Sequence, residues 1–441
     1  VSKTAAHNPN IAWFRQAAPY IHAHRGRTFV VAFGGEAIAD TTFPDLVHDI
    51  ALLASLGVRV VLVHGARPQI EARLKAAGRE LHYANGLRIT DAAAMSSVIA
   101  GIADARAEVE ARLSMSIADT PMSGMRLTVV GGNHVIAKPV GVRDGIDYQH
   151  TGEVRRVETG AIRPHLDLGH LVLISPRGYS PTGEMFNLSA AEVATAVACA
   201  LRADKLIFLE ETTGLRDARR RPLRQIGLAE AQALLGGRRR LTDETRRHLH
   251  GAIDACLNGV RRVHLVDRRI DGALLLELYT RDGVGTLIST GGYEHLRPAM
   301  IDDVAGILSL IAPLEAEGVL VRRSREQLEL EIGHFSVIER DGLIIACAAL
   351  YGFADEDVGE LACLVVHPDY RHQGHGDTLL AHIEERARHR GLQRLFVLTT
   401  RTAHWFRERG FVPGQIDQLP VARRALYNYQ RNSRIFLKTL D

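Results

Sequence analysis

Apolar runs that stop on glycine set the first rhythm of the chain: TFVVAFGG (28–35) and VRVVLVHGA (58–66). Between them LVHDIALLASLG (46–57) repeats its apolar positions at helical spacing and also ends on glycine. ADKLIFLE (203–210) and VRRVHLV (260–266) have the same strand form, with helix-spaced segments before them at 189–202 and 243–257. Strands that are apolar throughout, alternating with amphipathic helices, predict a mainly parallel sheet covered by helices on both faces. Residues 125–180 break the rhythm into shorter β-rich pieces, LTVVGGNHVIAKPVG and HTGEVRRV, which read as strands and hairpins.

A second pattern follows GTLISTGGYEHLRPAM (285–300). It opens with a helix, IDDVAGILSLIAPLEAEG (301–318), and continues through FSVIERDGLIIACAALYGF (335–353). Asp341-Gly342 predicts a hairpin turn inside the latter, because its residues accept the positive φ that such turns demand. Then come the strand CLVVHPDY, a helix over 377–390, the strand RLFVLTT, a short helix AHWFRERG and a final strand SRIFLKTL. This is a smaller α/β domain.

Composition narrows the function classes. The chain has 441 residues, 46% hydrophobic and 24% charged, with 54 basic against 51 acidic side chains. A net charge of only +3 argues against nucleic acid as a partner. The basic runs RDARRRPLRQ and GGRRRL lack interleaved aromatics and read as solvated edges. Cys199, Cys256, Cys347 and Cys363 form no CxxC pair and sit in apolar runs, the pattern of buried thiols in a reducing, cytoplasmic compartment. No uncharged apolar stretch is long enough for a membrane span, and the 21 histidines form no HExxH, so neither a membrane nor a metal is expected.

The strongest chemical signal is Arg371-His372-Gln373-Gly374-His375-Gly376, lying between a strand and an amphipathic helix. A glycine-bearing turn before a helix presents unpaired backbone N–H groups and the positive end of the helix dipole. Glycine lets an anion approach that backbone closely. The segment is therefore a candidate phosphate seat, with Arg371 at its rim. It matches neither GxGxxG nor GxxxxGK[ST], so a dinucleotide fold and a nucleotide P-loop are unsupported.

These residues resemble the acetyl-CoA loop of the GCN5-related acetyltransferases. GELACLVVHPDYRHQGHG, RLFVLTTRTAHWFRERGF and YNYQRNSRIFLK together resemble the bacterial N-acetylglutamate synthases more narrowly. The resemblance implies an N-terminal amino-acid-kinase-like three-layer sandwich and a C-terminal acetyltransferase fold, with boundaries at 1–24 (a helical arm), 25–290 and 291–441. It implies acetyl-CoA as co-substrate, L-glutamate as acceptor, L-arginine as a feedback inhibitor, and a homo-oligomer, with a hexamer as the expected form. It assigns Glu360 as general base and Thr399 as the hydroxyl beside the departing sulfur, with Thr400 a neighbouring alternative. Burial of Glu360 beside its apolar run would make it a better base. Thr399 stands where some members carry serine. Cofactor contacts are carried over to Leu364, Val365, Val366, Arg371, His372, Gln373, Gly374, His375 and Gly376. Glutamate contacts are carried over to Val321, Arg323, Arg431 and Ser433. Arginine pairs well with carboxylates, so two of them suit a dicarboxylate acceptor.

The N-terminal half keeps the kinase frame without its charges. Gly34 and Gly35 remain, but Ala32 stands at the lysine position. The HGGGPQI motif reads His64-Gly65-Ala66-Arg67-Pro68-Gln69-Ile70, Ala191 replaces an aspartate, and His248 stands near an expected lysine. Phosphoryl transfer is not expected without those groups. The resemblance instead implies an arginine site involving Tyr20, Glu277 and Gly283. A true amino-acid kinase and a non-catalytic arginine-responsive regulator are the competing readings.

Overall fold

The structure is a computed structural model, and it describes residues 9–115, 126–212, 214–217, 220–237, 241–280, 283–290, 294–340, 343–425, 427 and 433–440. The chain divides into two compact units, residues 1–292 and 293–441.

The first unit begins with helix α1 (Pro9–His24), then strand β1 (Thr28–Phe33), helix α2 (Phe43–Ser55), strand β2 (Arg59–His64) and helix α3 (Arg67–Ala76). Strands β3 (Val129–Val130) and β4 (Leu171–Ile174) follow, then α4 (Ala190–Leu201), β5 (Lys205–Glu210), β6 (Gln225–Gly227), α5 (Asp243–Leu257), β7 (Arg262–Asp267), α6 (Ala273–Tyr279) and β8 (Thr286–Ser289). They assemble in the order β6-β8-β7-β5-β1-β2-β4-β3. Every described pairing is parallel except β7 with β8. Alternate side chains explain why the strands are apolar throughout. Val30, Ala32, Val61 and Val63 enter one core with α4 and α5, while Phe29, Val31, Phe33 and Leu62 enter another with α2. Both faces are buried, as in a three-layer sandwich. The irregular stretch forms a second, four-stranded sheet from Val135–Pro139, Gly152–Val157, Arg177–Tyr179 and Met185–Asn187.

The second unit contains β9 (His295–Pro298), α7 (Val304–Ala316), α8 (Arg325–Glu331), β10 (Phe335–Arg340), β11 (Leu343–Phe353) and β12 (Val358–Val366). It continues with α9 (His375–His389), β13 (Arg394–Thr399), α10 (Ala403–Arg407), β14 (Val412–Gly414), α11 (Val421–Arg424) and β15 (Arg434–Thr439). The sheet order is β9-β10-β11-β12-β13-β15-β14. β10 and β11 pair antiparallel up to Arg340↔Leu343, while the Asp341-Gly342 turn lies outside the described residues. Leu379, Leu380, Ile383 and Ala387 form the buried face of α9. Ile307, Leu310 and Ile311 of α7 fill the core on the other side of the sheet.

One irregularity creates the site. β12 and β13 pair in parallel only at Val358↔Arg394, Gly359↔Leu395 and Glu360↔Phe396. Beyond Glu360, β12 stays with β11 and β13 stays with β15, so the two strands part. The β11–β12 register shifts between Cys347 and Ala349. Cys363 sits opposite this shift with φ +49, a left-handed conformation unusual for a residue with a Cβ. A bulge of this kind bends its strand, consistent with β12 leaving its neighbour.

Candidate active site

The gap between the parting strands is a cavity of about 720 Å³. Its lining brings together Glu360, Thr399, Val321, Arg323, Leu364, Val365, Val366, Arg371, His372, Gly374, His375 and Gly376. These positions lie far apart in sequence, and the splay gives them a common space. Glu360 is the last residue of β12 still paired with β13, so its carboxylate stands at the apex. It is 8% exposed. Sequence reasoning counted only this burial. The structure adds a partner: Arg423 donates Nε–H to Oε2 at 2.7 Å and Nη2–H to Oε1 at 3.1 Å.

Thr399 ends β13 and is buried. Its hydroxyl oxygen accepts the Thr402 N–H at 3.1 Å and lies 2.8 Å from the Thr402 hydroxyl. Those contacts fix the Thr399 hydroxyl in the cavity wall. Thr400 also lines the cavity but is exposed.

The glycine-bearing turn is exposed from Arg371 to Gly374. His372 and Gly374 both have positive φ, +64 and +86. α9 starts at His375, two residues earlier than the pattern predicted. Gly376 is therefore inside the first helical turn, where a Cβ would lie 3.1 Å from Trp405 Cζ2. The first intrahelical bond runs from Thr378 N–H to Gly374 O at 3.0 Å. The preceding amides at the start of α9 have no acceptor within the helix and remain available to an anion. His375 turns its ring away from solvent, with Nδ1 3.2 Å from Glu294 Oε2, so it offers the turn main chain more than side chain. Val365 packs its side chain into the opposite core. Gln373 is exposed and is not part of the cavity lining. Arg409, which sequence reasoning missed, lines the cavity, stacks 3.9 Å from the Trp405 ring and pairs with Asp377.

Arg323 is half-buried in the wall, with its N–H donated to Glu315 and Nη1 3.3 Å from Val321 O. Ser433 borders a neighbouring groove instead, sharing Arg401 with the main cavity, and its carbonyl accepts the Tyr427 hydroxyl at 2.7 Å. Arg431 lies outside the described residues. The order of β13 and β15 still puts Ser433 next to the Thr399↔Arg434 pair.

In the first unit, the altered kinase motifs converge. Ala32, Gly34, Gly35, Gly65, Ala66, Arg67, Ala191 and His248 line one cavity of about 260 Å³, whose lining among the described residues includes no lysine. His248 is committed elsewhere: its ring stacks on Phe208 and its Nδ1 lies 2.9 Å from Glu210.

Glu277 on α6 is also built in. Its Oε2 accepts the N–H groups of Val284 (2.8 Å) and Gly285 (2.7 Å), and Oε1 lies 2.7 Å from His264 Nδ1. Burial pushes its carboxyl up, but His264 and the two amides outweigh burial and hold it below the usual carboxylate range. Gly283 has φ +57, and a Cβ there would come within 2.5 Å of Glu277 Oε2. Buried Lys205 and His264 complete the neighbourhood. Burial, then the charge of Arg262, lowers Lys205 to about 7. Burial, then Lys205, lowers His264 to about 4. Tyr20 lies on α1, whose His24 Nε2 is 2.9 Å from Leu278 O on α6. Neither Lys205 nor His264 was singled out in the sequence, because a strand residue shows no sign of its tertiary partners.

Among the described residues no cluster of three or more His, Cys, Asp or Glu could hold a metal, and no helix is long and apolar enough to cross a membrane. The four cysteines are unpaired, with Cys199 half-buried and the others buried.

Comparison with known proteins extends this picture. Residues 27–267 match the amino acid kinase family and residues 304–411 match the acetyltransferase (GNAT) family. An amino-acid acetyltransferase of Ectopseudomonas mendocina is 55% identical over 98% of this chain and 99% of its own. One from Azotobacter vinelandii is 56% identical over the same shares. The crystal structure of N-acetylglutamate synthase from Neisseria gonorrhoeae, complexed with coenzyme A and L-arginine, is similar with a TM-score of 0.88. It is 40% identical and covers 98% of this chain and 99% of its own. The same protein complexed with coenzyme A and N-acetyl-glutamate aligns with a TM-score of 0.61.

Proposed function

The chain belongs to the amino-acid acetyltransferase family, and from that premise we propose that it moves the acetyl group of acetyl-CoA onto the amino group of L-glutamate. The observation that carries this reading is the single cavity shared by Glu360, Thr399 and the glycine-bearing turn. The amides that open α9 take the diphosphate of coenzyme A, and the edge of β12 freed by the splay lies along its pantetheine arm. The thioester then lies near the apex.

Glu360 accepts a proton from the acceptor's ammonium. The free amine attacks the thioester carbonyl, a C–N bond forms, the nitrogen gives up its second proton to solvent, the C–S bond breaks, and Glu360 afterwards returns its proton to solvent. The thiolate takes a proton from the Thr399 hydroxyl, which is replenished from solvent. N-acetyl-L-glutamate and CoA leave. Val321, Arg323, Arg431 and Ser433 hold the two carboxylates. Positioning contributes as much as the proton transfer, since a well-oriented amine gains about 7 kcal/mol or more over a free encounter.

The kinase-like unit serves regulation in this reading. Arginine binds near Glu277, with its guanidinium against that carboxylate and carbonyls around Gly283, and Tyr20 covers it. Bound arginine lowers turnover. The loss of lysine from the altered kinase cavity supports regulation over phosphoryl transfer. The protein acts as a homo-oligomer, with a hexamer the favoured form. Ile11, Trp13 and Phe14 on α1 are 50%, 46% and 60% exposed, an apolar patch suited to another copy. Unpaired cysteines fit a cytoplasmic place.

Purified protein with acetyl-CoA and glutamate should release free thiol, and saturating L-arginine should slow that release. No thiol release with glutamate, or equal rates with and without arginine, overturns the corresponding half of the proposal. Light scattering of the purified protein measures the assembly, and a monomer there removes the oligomer.

A further inference from the structure

Glu360 is already occupied by a cation. Arg423 covers both carboxylate oxygens in a fork, Nε to Oε2 at 2.7 Å and Nη2 to Oε1 at 3.1 Å. The side chains are 10% and 23% exposed for Glu360 and Arg423. The fork occupies one lone pair on each oxygen, so an acceptor ammonium that is to sit against Glu360 competes with Arg423 for that carboxylate. Opening the fork without replacement would strand a buried carboxylate and a half-buried guanidinium. An amino-acid acceptor brings a solution to each problem: an ammonium for Glu360 and a carboxylate for Arg423.

We propose that Arg423 is a specificity-determining residue that guards Glu360 until an acidic acceptor exchanges with it. The acceptor's ammonium replaces the guanidinium on Glu360, and the released guanidinium takes an acceptor carboxylate. The exchange conserves ion pairs only for an acceptor with a carboxylate that Arg423 can share with the groups holding it, such as Arg323 in the same cavity. Arg423 is placed for this, because the backbone of α11 is fixed independently of its side chain. Val421 N–H donates to Glu356 at 2.9 Å, and Arg424 Nη2 donates to the carbonyls of Asp417 (2.9 Å) and Leu419 (3.1 Å). The guanidinium can therefore swing between anions while the helix stays still. Both groups line the cavity that also holds Arg323.

This inference rests on the glutamate reading, and the test separates the two. The full-length protein and its Arg423→Gln and Arg423→Lys variants are assayed with acetyl-CoA and three acceptors: glutamate, glutamine and isoglutamine. Failure of the unmodified protein with glutamate overturns the functional reading. With that activity present, Arg423→Gln should lose at least tenfold in kcat/KM for glutamate, mostly through KM. For at least one of the two amides, kcat/KM should hold within about twofold or rise, because no exchange is needed. Arg423→Lys should recover part of the glutamate KM, since it keeps the charge and loses the fork. Equal losses on all three acceptors, a fall in kcat with unchanged KM, or unchanged selectivity would each overturn the proposal. Coenzyme A affinity and the melting temperature of each variant identify misfolding. If Arg423→Gln misfolds, the Arg423→Lys variant decides, and an unaltered glutamate-to-glutamine preference there overturns the proposal.

Discussion

The proposed chemistry converges on one side chain, Glu360. Its place at the last β12–β13 pair gives it access to the cavity and little else. Glu360→Gln preserves shape and hydrogen-bonding capacity but cannot accept a proton. Turnover should fall by about 10²–10⁴-fold, the usual worth of a general base, while coenzyme A affinity stays within twofold. Steady-state rates and calorimetric binding check both, and undiminished turnover would remove Glu360 as the base. A second residue tests stability. Burial, reinforced by Asp271 and then Asp45, pushes Asp49 on α2 up to about 7. Its unfolded carboxyl titrates near 4, so between about pH 4 and 7 the folded state holds the extra proton. Asp49 therefore costs stability increasingly as pH rises through that window. Asp49→Asn should raise stability by about 1 kcal/mol at pH 8 and leave it unchanged at pH 4. Thermal melts at the two pH values measure this. At this scale the sequence was partly legible. Glu360 and Thr399 stand in motifs, whereas Arg423 meets Glu360 across 63 residues, a distance that no local pattern encodes.

Elements were easier to foresee than their divergence. The strands of the first unit are apolar runs because both sheet faces are covered; the run over 203–210 contains β5, and the run over 260–266 contains all of β7 but Asp267. The amphipathic face of α9 was equally plain. The parting of β12 from β13 was not, since it follows from a bulge and from partners on opposite sides. The glycine-bearing turn shows how the structure refines a motif. An added Cβ at Gly374 meets no atom within 4 Å, so its glycine is needed for φ +86, not for room inside the protein. Gly374→Val should thus distort the turn through its backbone and weaken coenzyme A binding by tenfold or more. Gly374→Asn, which tolerates left-handed φ, should lose much less. Equal losses would point to steric blockage of the ligand instead, and unchanged affinity for both would separate the turn from cofactor binding.

At the scale of the molecule, the proposed function divides its tasks between two units. The catalytic residues proposed above lie within residues 293–441, and the altered kinase cavity and the Glu277 cluster lie within residues 1–292. The kinase frame was legible because glycines persist where backbone geometry requires them. The proposed change of task rests on the charge missing at Ala32 and Ala191. Regulation makes a sharper demand, because coupling between two binding sites is reciprocal. If arginine weakens glutamate binding by some factor, glutamate must weaken arginine binding by the same factor. Glu277→Gln retains an oxygen for the Val284 and Gly285 amides but removes the charge that would face a guanidinium. Arginine affinity should drop by about tenfold, in line with the loss of one charge-assisted pair. Turnover without arginine should stay within twofold, since Glu277 takes no part in acetyl transfer. Calorimetric titration of arginine, with and without saturating glutamate, measures both the loss and the reciprocity. An unaltered arginine affinity in the variant would move the effector site away from Glu277. An intact site with no mutual effect would leave arginine binding without control over glutamate binding, and inhibition would then have to act on kcat alone.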